Sequence, residues 1–301
     1  MPAAIELEPG VSAIAAFNMI AAALLARIEA NQEGVIDEDD PEYLHQMRVT
    51  VRRLRSLCGA YETFLPKTTL QPLIEDLRWL ARALGPARDA DVFAIEIWPP
   101  LRAALCPNPL LAELDARWEA RRHAAMAKAR RALGTRRYQC FMLSISRMLA
   151  EGAGWAGASL KQRAVLDASA RDFTRRVIER RDGKVRGHGH TLAGLDSTHL
   201  HALRIRIKKL RYAVDSFGAL FERDAVRGMI DALARLQHVL GEMHDLHVAE
   251  QQVLMALRDR RARAVATLQT ALAAWRDART TALRRKLRAA WRRYRRAEKL
   301  G

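Results

Sequence analysis

The chain has 301 residues, half of them apolar, with 51 Lys and Arg against 34 Asp and Glu and a formal net charge of +17 at pH 7. Such a surface excludes cationic partners and favours polyanions, whether nucleic acid, anionic membrane or inorganic polyphosphate. Three cysteines, Cys58, Cys106 and Cys140, exclude a disulfide scaffold and fit no zinc spacing, so a reducing, cytoplasmic setting is expected.

The first expected element is an apolar helix in the run 11–28. Ile14, Phe17, Ala21, Leu24 and Ile28 recur at amphipathic spacing, which predicts a core helix. Glu6 and Glu8 precede it instead of a basic flank, and the run is short for a bilayer, so neither a leader nor stable membrane insertion is expected. Asn31 to Pro41 reads as an acidic turn, with Asp40-Pro41 opening a second helix that Pro66 closes. Gly85-Pro86 is expected to end the third helix, and Pro99-Pro100 and Cys106-Pro107-Asn108-Pro109 punctuate the next stretch. Gly152 to Gly157 reads as the midpoint linker. Asp182 to Ser197 reads as a glycine-rich loop before a helix at about 198–218. Near the end, Leu283, Leu287, Ala290, Trp291 and Tyr294 mark one face of a basic helix within 279–299, expected to pack in a bundle with its charges solvated. Strand-like alternation is nearly absent, and the fold class is all-α.

The chain also repeats itself. Residues 43–92 and 199–248 align without a gap at one constant offset of 156. His45 and Arg48 face His201 and Arg204, while the run Arg52 to Arg55 faces Lys208 to Arg211. Leu77, Leu80, Leu84, Gly85, Asp89 and Val92 face Leu233, Leu236, Leu240, Gly241, Asp245 and Val248. These matches imply an internal duplication, with two four-helix bundles related by a pseudo-twofold axis, 1–151 and 158–301, in a single domain over 1–301. Charge divides unevenly between the halves: 19 basic and 18 acidic residues in 1–150, but 32 and 16 in 151–301.

On the helix that begins near Tyr43, Leu44, Met47, Val51, Leu54 and Cys58 form the core face. His45, Arg48, Arg52 and Arg55 lie beside it on a strip about 80° wide and about 15 Å long. The second copy sets Leu200, Leu203, Ile207, Leu210 and Val214 beside a strip of His201, Arg204, Lys208 and Arg211. Like charges at these spacings repel by a few tenths of a kcal/mol per pair, so the strips do not serve helix stability. A solvated basic face and pairing with Asp89 and Asp245 are the structural alternatives; recurrence of the strip in both copies favours an anion site. His238, His244 and His247 share one stretch, but their counterparts Arg82, Arg88 and Asp91 form no matching set, and no metal site or cofactor is expected.

The run DPEYLHQMRVTVRRLR from Asp40, the run LRWLARALGPARDADV, their partners LHALRIRIKKLRY and LARLQHVLGEMHDLHV, and the closing WRDARTTALRRKLRAAWRRYRRA resemble the CHAD family, the conserved histidine α-helical domains. The resemblance covers about residues 1–297. It implies two four-helix bundles around a basic groove that binds inorganic polyphosphate, and association with cytoplasmic polyphosphate granules. His45, Arg48, Arg52, Arg55, His201, Arg204, Lys208 and Arg211 carry over as phosphate contacts. Arg53 and Lys209 match the doubled basic pair but point about 80° away from the histidine, on the other side of the strip; Arg88 has only His244 as its equivalent.

No glycine-rich loop ending in Lys-Ser/Thr, no HExxH and no GxSxG occurs, and the repeated acids number one per copy, so a binding protein rather than an enzyme is expected. General polyanion or nucleic-acid binding is the alternative. Scarcity of aromatics, 6% of residues, argues against base stacking.

Overall fold

The computed structural model describes residues 7–8, 10–151, 157–188, 196–258 and 263–300. In chain order they form α1 (Ala13–Ala30), α2 (Gln32–Asp37), α3 (Pro41–Tyr61), α4 (Lys67–Val92), a π-helical turn (Phe93–Ile97), α5 (Trp98–Ala104), α6 (Leu111–Leu133), α7 (Arg136–Glu151), α8 (Leu160–Leu166), α9 (Ala170–His188), α10 (Ser197–Phe217), α11 (Arg223–Leu257) and α12 (Arg263–Arg296). Among the described residues the nearest thing to a strand is one bridge between Ser12 and Ser169.

Polar side chains set the helix starts by accepting from amides that the first turn leaves unpaired. Ser12 Oγ accepts from Ala15 N at 3.3 Å, Asp40 Oδ1 from Glu42 N at 2.8 Å with Pro41 at the first helical position, and Asp196 Oδ1 from His199 N at 2.8 Å. Asp40-Pro41 thus opens α3 as its sequence predicts.

Four long helices follow one another twice in the same packing order. In the first half α1 packs on α3, α3 on α4 and α4 on α6; in the second α9 packs on α10, α10 on α11 and α11 on α12. α10 starts and ends 156 residues after α3. The two bundles meet where α3 and α10 pack against each other, and there Phe217 at the end of α10 reaches into the first core beside Tyr61.

The two apolar cores cut across the division at 151/158. Ala125, Ala129 and Leu133 of α6 belong to the first core, but Leu111, Leu114 and Trp118 of the same helix belong to the second, as do Phe93, Trp98, Leu101 and Leu105. Conversely, Phe173 and Val177 of α9 pack in the first core and Ile178 and Val185 in the second. A 23-residue helix is about 35 Å long, enough to serve both bundles.

Local punctuation misplaces several ends. α4 runs through Gly85-Pro86 to Val92. A proline inside a helix costs about 3 kcal/mol, but here Leu84 and Ala87 on either side are fully buried and hold the turn. Pro99 and Pro100 lie in the first turn of α5, directly after the π-helical turn in which Trp98 N donates to Phe93 O. The wider turn re-registers the ladder ahead of two residues that cannot donate. The expected acidic turn at Asn31–Pro41 contains the short α2. In the expected loop at Asp182–Ser197, α9 continues to His188, because Val185 is buried and Asp182 holds both Arg186, at 2.6 Å, and the Tyr294 hydroxyl. Residues 152–156 of the expected linker and 189–195 of that loop lie outside the described residues.

The predicted core faces are buried: Phe17, Ala21, Leu24 and Ile28 in α1, with Ile14 partly so, and Leu283, Leu287, Ala290, Trp291 and Tyr294 in α12. Ala13–Asp37 is the one stretch among the described residues long and apolar enough to cross a membrane. Within it Phe17, Ile20, Leu24 and Ile28 are packed into the first core.

Candidate functional site

The site begins with two helix faces. On α3 Leu44, Met47, Val51, Leu54 and Cys58 are buried, and on α10 Leu203, Ile207, Leu210 and Val214 are buried with Leu200 partly so. This anchors both helices in rotation and brings the adjacent strips to the seam where α3 meets α10. At the seam Arg48, Arg52, Arg204 and Lys208 come together, all half-buried. The Lys208 amine is pushed down to about 7, first by burial and then by the positive charges of Arg204, Arg52 and Arg48. Burial also lowers Arg204 and Arg48, against the opposing pull of Asp245 and Asp89 respectively.

Carboxylates compensate half of this cluster. Arg48 Nη2 lies 3.3 Å from Asp89 Oδ1 on α4, and Asp245 on α11 faces Arg204 and Lys208. Both aspartates lie inside helices, Asp89 paired with Arg48 and Asp245 facing Arg204 and Lys208. With Lys208 pushed down to about 7, the three arginines stand against two carboxylates, and the amine adds its charge only as it is protonated. The Nε atoms of Arg48, Arg52 and Arg204 are buried and have no hydrogen-bond partner among the described residues. Unpaired donors of this kind are costly, and an anion with several acceptor oxygens answers them.

Gly85 makes room for one of these groups: a Cβ at that position would stand 3.0 Å from Arg48 Nη1. Its counterpart Gly241 faces open space.

The other candidates disperse around the cluster. His45 is held below the usual imidazole range by burial and then by Arg88, which itself pairs with Glu96 at 3.2 Å. His201 is exposed, its ring 5.5 Å from that of His244, and His244 is pushed down to about 4 by burial and then by Arg204, His201 and Lys208. Arg55 lies among Arg78 and Arg82 of α4, whose charges lower it after burial. Arg211 turns toward Gln237 Oε1, 3.3 Å from its Nη1, and toward Asp215 at 3.7 Å. Arg53 meets the same Asp215 at 3.4 Å, so one carboxylate joins α3 to α10. Lys209 faces a second basic group, Arg181, Arg55, Lys184 and Arg206. Arg181 donates to Ser56 O at 3.0 Å and Lys209 O at 2.8 Å, and burial lowers it to about 10.

Asp215, Arg181, Arg78 and the role of Gly85 escape a reading of the sequence alone. Gly85 and Gly241 repeat in register, but the space each one faces emerges only when α4 and α11 are packed. Asp215 has Gly59 as its counterpart, so the repeat gives no signal for it. Among the described residues no group of three or more His, Cys, Asp or Glu is placed to hold a metal ion.

Comparison with known proteins bears on the same helices. Two uncharacterized proteins of Mycobacterium tuberculosis are 28% identical over 193 residues, which is 62% of this chain and 36% of each of theirs. The chain thus spans about a third of the length of these relatives. The crystal structure of a CHAD domain from the plant Ricinus communis superposes with a TM-score of 0.80 at 29% identity, covering 99% of this chain and 97% of that one. PptA from Streptomyces chartreusis shares the fold, with a TM-score of 0.66 at 16% identity over 97% and 99% of the two chains. The CHAD domain model matches residues 19–254, from the middle of α1 almost to the end of α11, and the chain belongs to the CHAD family.

Proposed function

We propose that the protein binds inorganic polyphosphate non-catalytically along the α3–α10 seam and that it resides at polyphosphate granules in the cytoplasm. The observation that carries this reading is the convergence of Arg48, Arg52, Arg204 and Lys208, with three buried Nε donors unpaired among the described residues. A base-free chain of phosphates supplies a continuous row of acceptor oxygens, which Arg takes in bidentate fashion and Lys as a point charge. The half-buried setting favours a thin chain, because a bulky polymer cannot bring its charge down to these groups. Asp89 and Asp245 act as positioning residues by holding the arginines.

The test is a titration of labelled long-chain polyphosphate at about 150 mM salt, with DNA, RNA and heparin as competitors at matched charge. Polyphosphate is expected to hold against large excesses of the others, and the combined variant Arg48→Gln, Arg52→Gln, Arg204→Gln, Lys208→Gln to lose binding while keeping its helical content. If about eight charges are neutralised, log K falls with log salt at a slope of roughly −5 to −6. Phosphate release from the bound chain is expected to stay at the buffer level. Competition in proportion to charge alone would replace this reading with general polyanion binding.

A further inference from the structure

A second concentration of positive charge lies on the outer face of α12. Arg285, Arg288, Arg292, Arg293, Arg295 and Arg296 are all exposed, and none has an ion-pair partner among the described residues. They occupy about 16 Å of helix and about 160° of its circumference. None of the six lines the hollows around Arg204, whose basic residues from α12 are Arg276, Arg279, Arg284 and Lys286. Beside them a groove of about 640 Å³ runs between α11 and α12, lined by Arg235, Lys286, Arg292, Arg293 and Arg296; it shares His238 and Lys286 with the hollow that reaches Arg204.

We propose that this face, with Arg235, is a separate binding surface for the phosphate backbone of duplex nucleic acid, independent of base sequence. Six cations close together on a helix repel one another; the helix end favours Arg293, Arg295 and Arg296 but does nothing for Arg285, Arg288 and Arg292. The surface is convex, with one flanking groove, so it suits a wide rigid partner that brings many phosphates to one side. A duplex carries one charge per about 1.7 Å, or about ten phosphates along this stretch, and one strand can follow the groove. Single strands are disfavoured because Trp275, Trp291 and Tyr294 are buried and offer no stacking platform. A membrane surface is disfavoured because Leu283, Leu287 and Trp291 are committed to the core and leave no apolar face to insert.

The experiment uses the full chain and a labelled mixed-sequence duplex of about 30 base pairs, followed by anisotropy across a salt series. For seven contacts the expected slope of log K against log salt is about −6, and Arg288→Gln, Arg292→Gln, Arg295→Gln, Arg296→Gln together are expected to bring it to about −3 with at least a tenfold loss of affinity near 100 mM salt. The same variant is expected to keep polyphosphate affinity within about twofold, while the fourfold seam variant keeps duplex binding and loses polyphosphate. Wild-type duplex affinity in this fourfold α12 variant, the ridge variant, would overturn the proposal. So would an equal loss of polyphosphate, or stronger binding to anionic lipid vesicles than to duplex through the same arginines. Duplex binding that disappears in the seam variant but survives in the ridge variant would assign it to the seam instead.

Discussion

Lys208 is held charged only against its surroundings. Its folded-state pKa of about 7 lies below the ordinary 10.5, so between those values the unfolded chain binds a proton that the folded chain does not. Stability of the ligand-free protein therefore rises with pH across that window, and the full penalty is present below pH 7. A bound polyanion restores the charged amine, so binding at pH 8 is expected to take up a proton and affinity to fall as pH rises toward 10. Calorimetry in buffers of different ionisation heat reads the uptake directly. Lys208→Met is expected to weaken polyphosphate binding and yet to raise the melting temperature by a few degrees, more at pH 6 than at pH 9. A variant that loses stability at pH 6 would show that the amine is well solvated and its neighbours harmless.

At the level of single helices, Gly85 and Gly241 form a matched pair with different surroundings. Alanine is favoured over glycine inside a helix by up to about 1 kcal/mol. At Gly241 a methyl group meets nothing within 4 Å, so Gly241→Ala is expected to raise stability and leave binding alone. At Gly85 the methyl group presses on the Arg48 guanidinium, so Gly85→Ala is expected to keep stability and lose severalfold in polyphosphate affinity. Thermal melts and titrations of the two variants separate the effects. The same helix shows what a sequence can and cannot convey. The buried faces of α1, α3, α10 and α12 are legible because period 3.6 is imposed by the core itself, and the convergence of Arg48, Arg52, Arg204 and Lys208 follows once two such helices meet. Gly85-Pro86 reads as a stop because the rule is local, while the burial of Leu84 and Ala87 that overrides it is tertiary. Asp215 is legible neither way: its importance lies in touching Arg53, 162 positions away.

On the scale of the molecule, the two cores share helices as well as a boundary. Cutting the chain in the run 152–157 would take Leu101, Leu114 and Trp118 from the second core and Phe173 and Val177 from the first. Each large apolar side chain contributes about 1.5–3 kcal/mol on burial, comparable in sum with the whole stability of a domain. Fragments 1–151 and 158–301 are therefore expected to be poorly folded alone and to regain helicity when mixed, as circular dichroism would show. The intact chain is expected to melt in one transition. Two independent transitions, or two well-folded fragments, would mean that α6 and α9 are ornamental to the cores they enter.

The carboxylate of Asp215, caught between Arg53 on α3 and Arg211 on α10, has a further effect. The Arg53 contact ties α3 to α10 before any ligand arrives, while the Arg211 contact stays within α10 and holds the carboxylate in place. If the seam binds polyphosphate as proposed, a preset spacing of this kind is expected to select polyanions by girth, admitting a bare phosphate chain more readily than one that carries a sugar and a base on every phosphate.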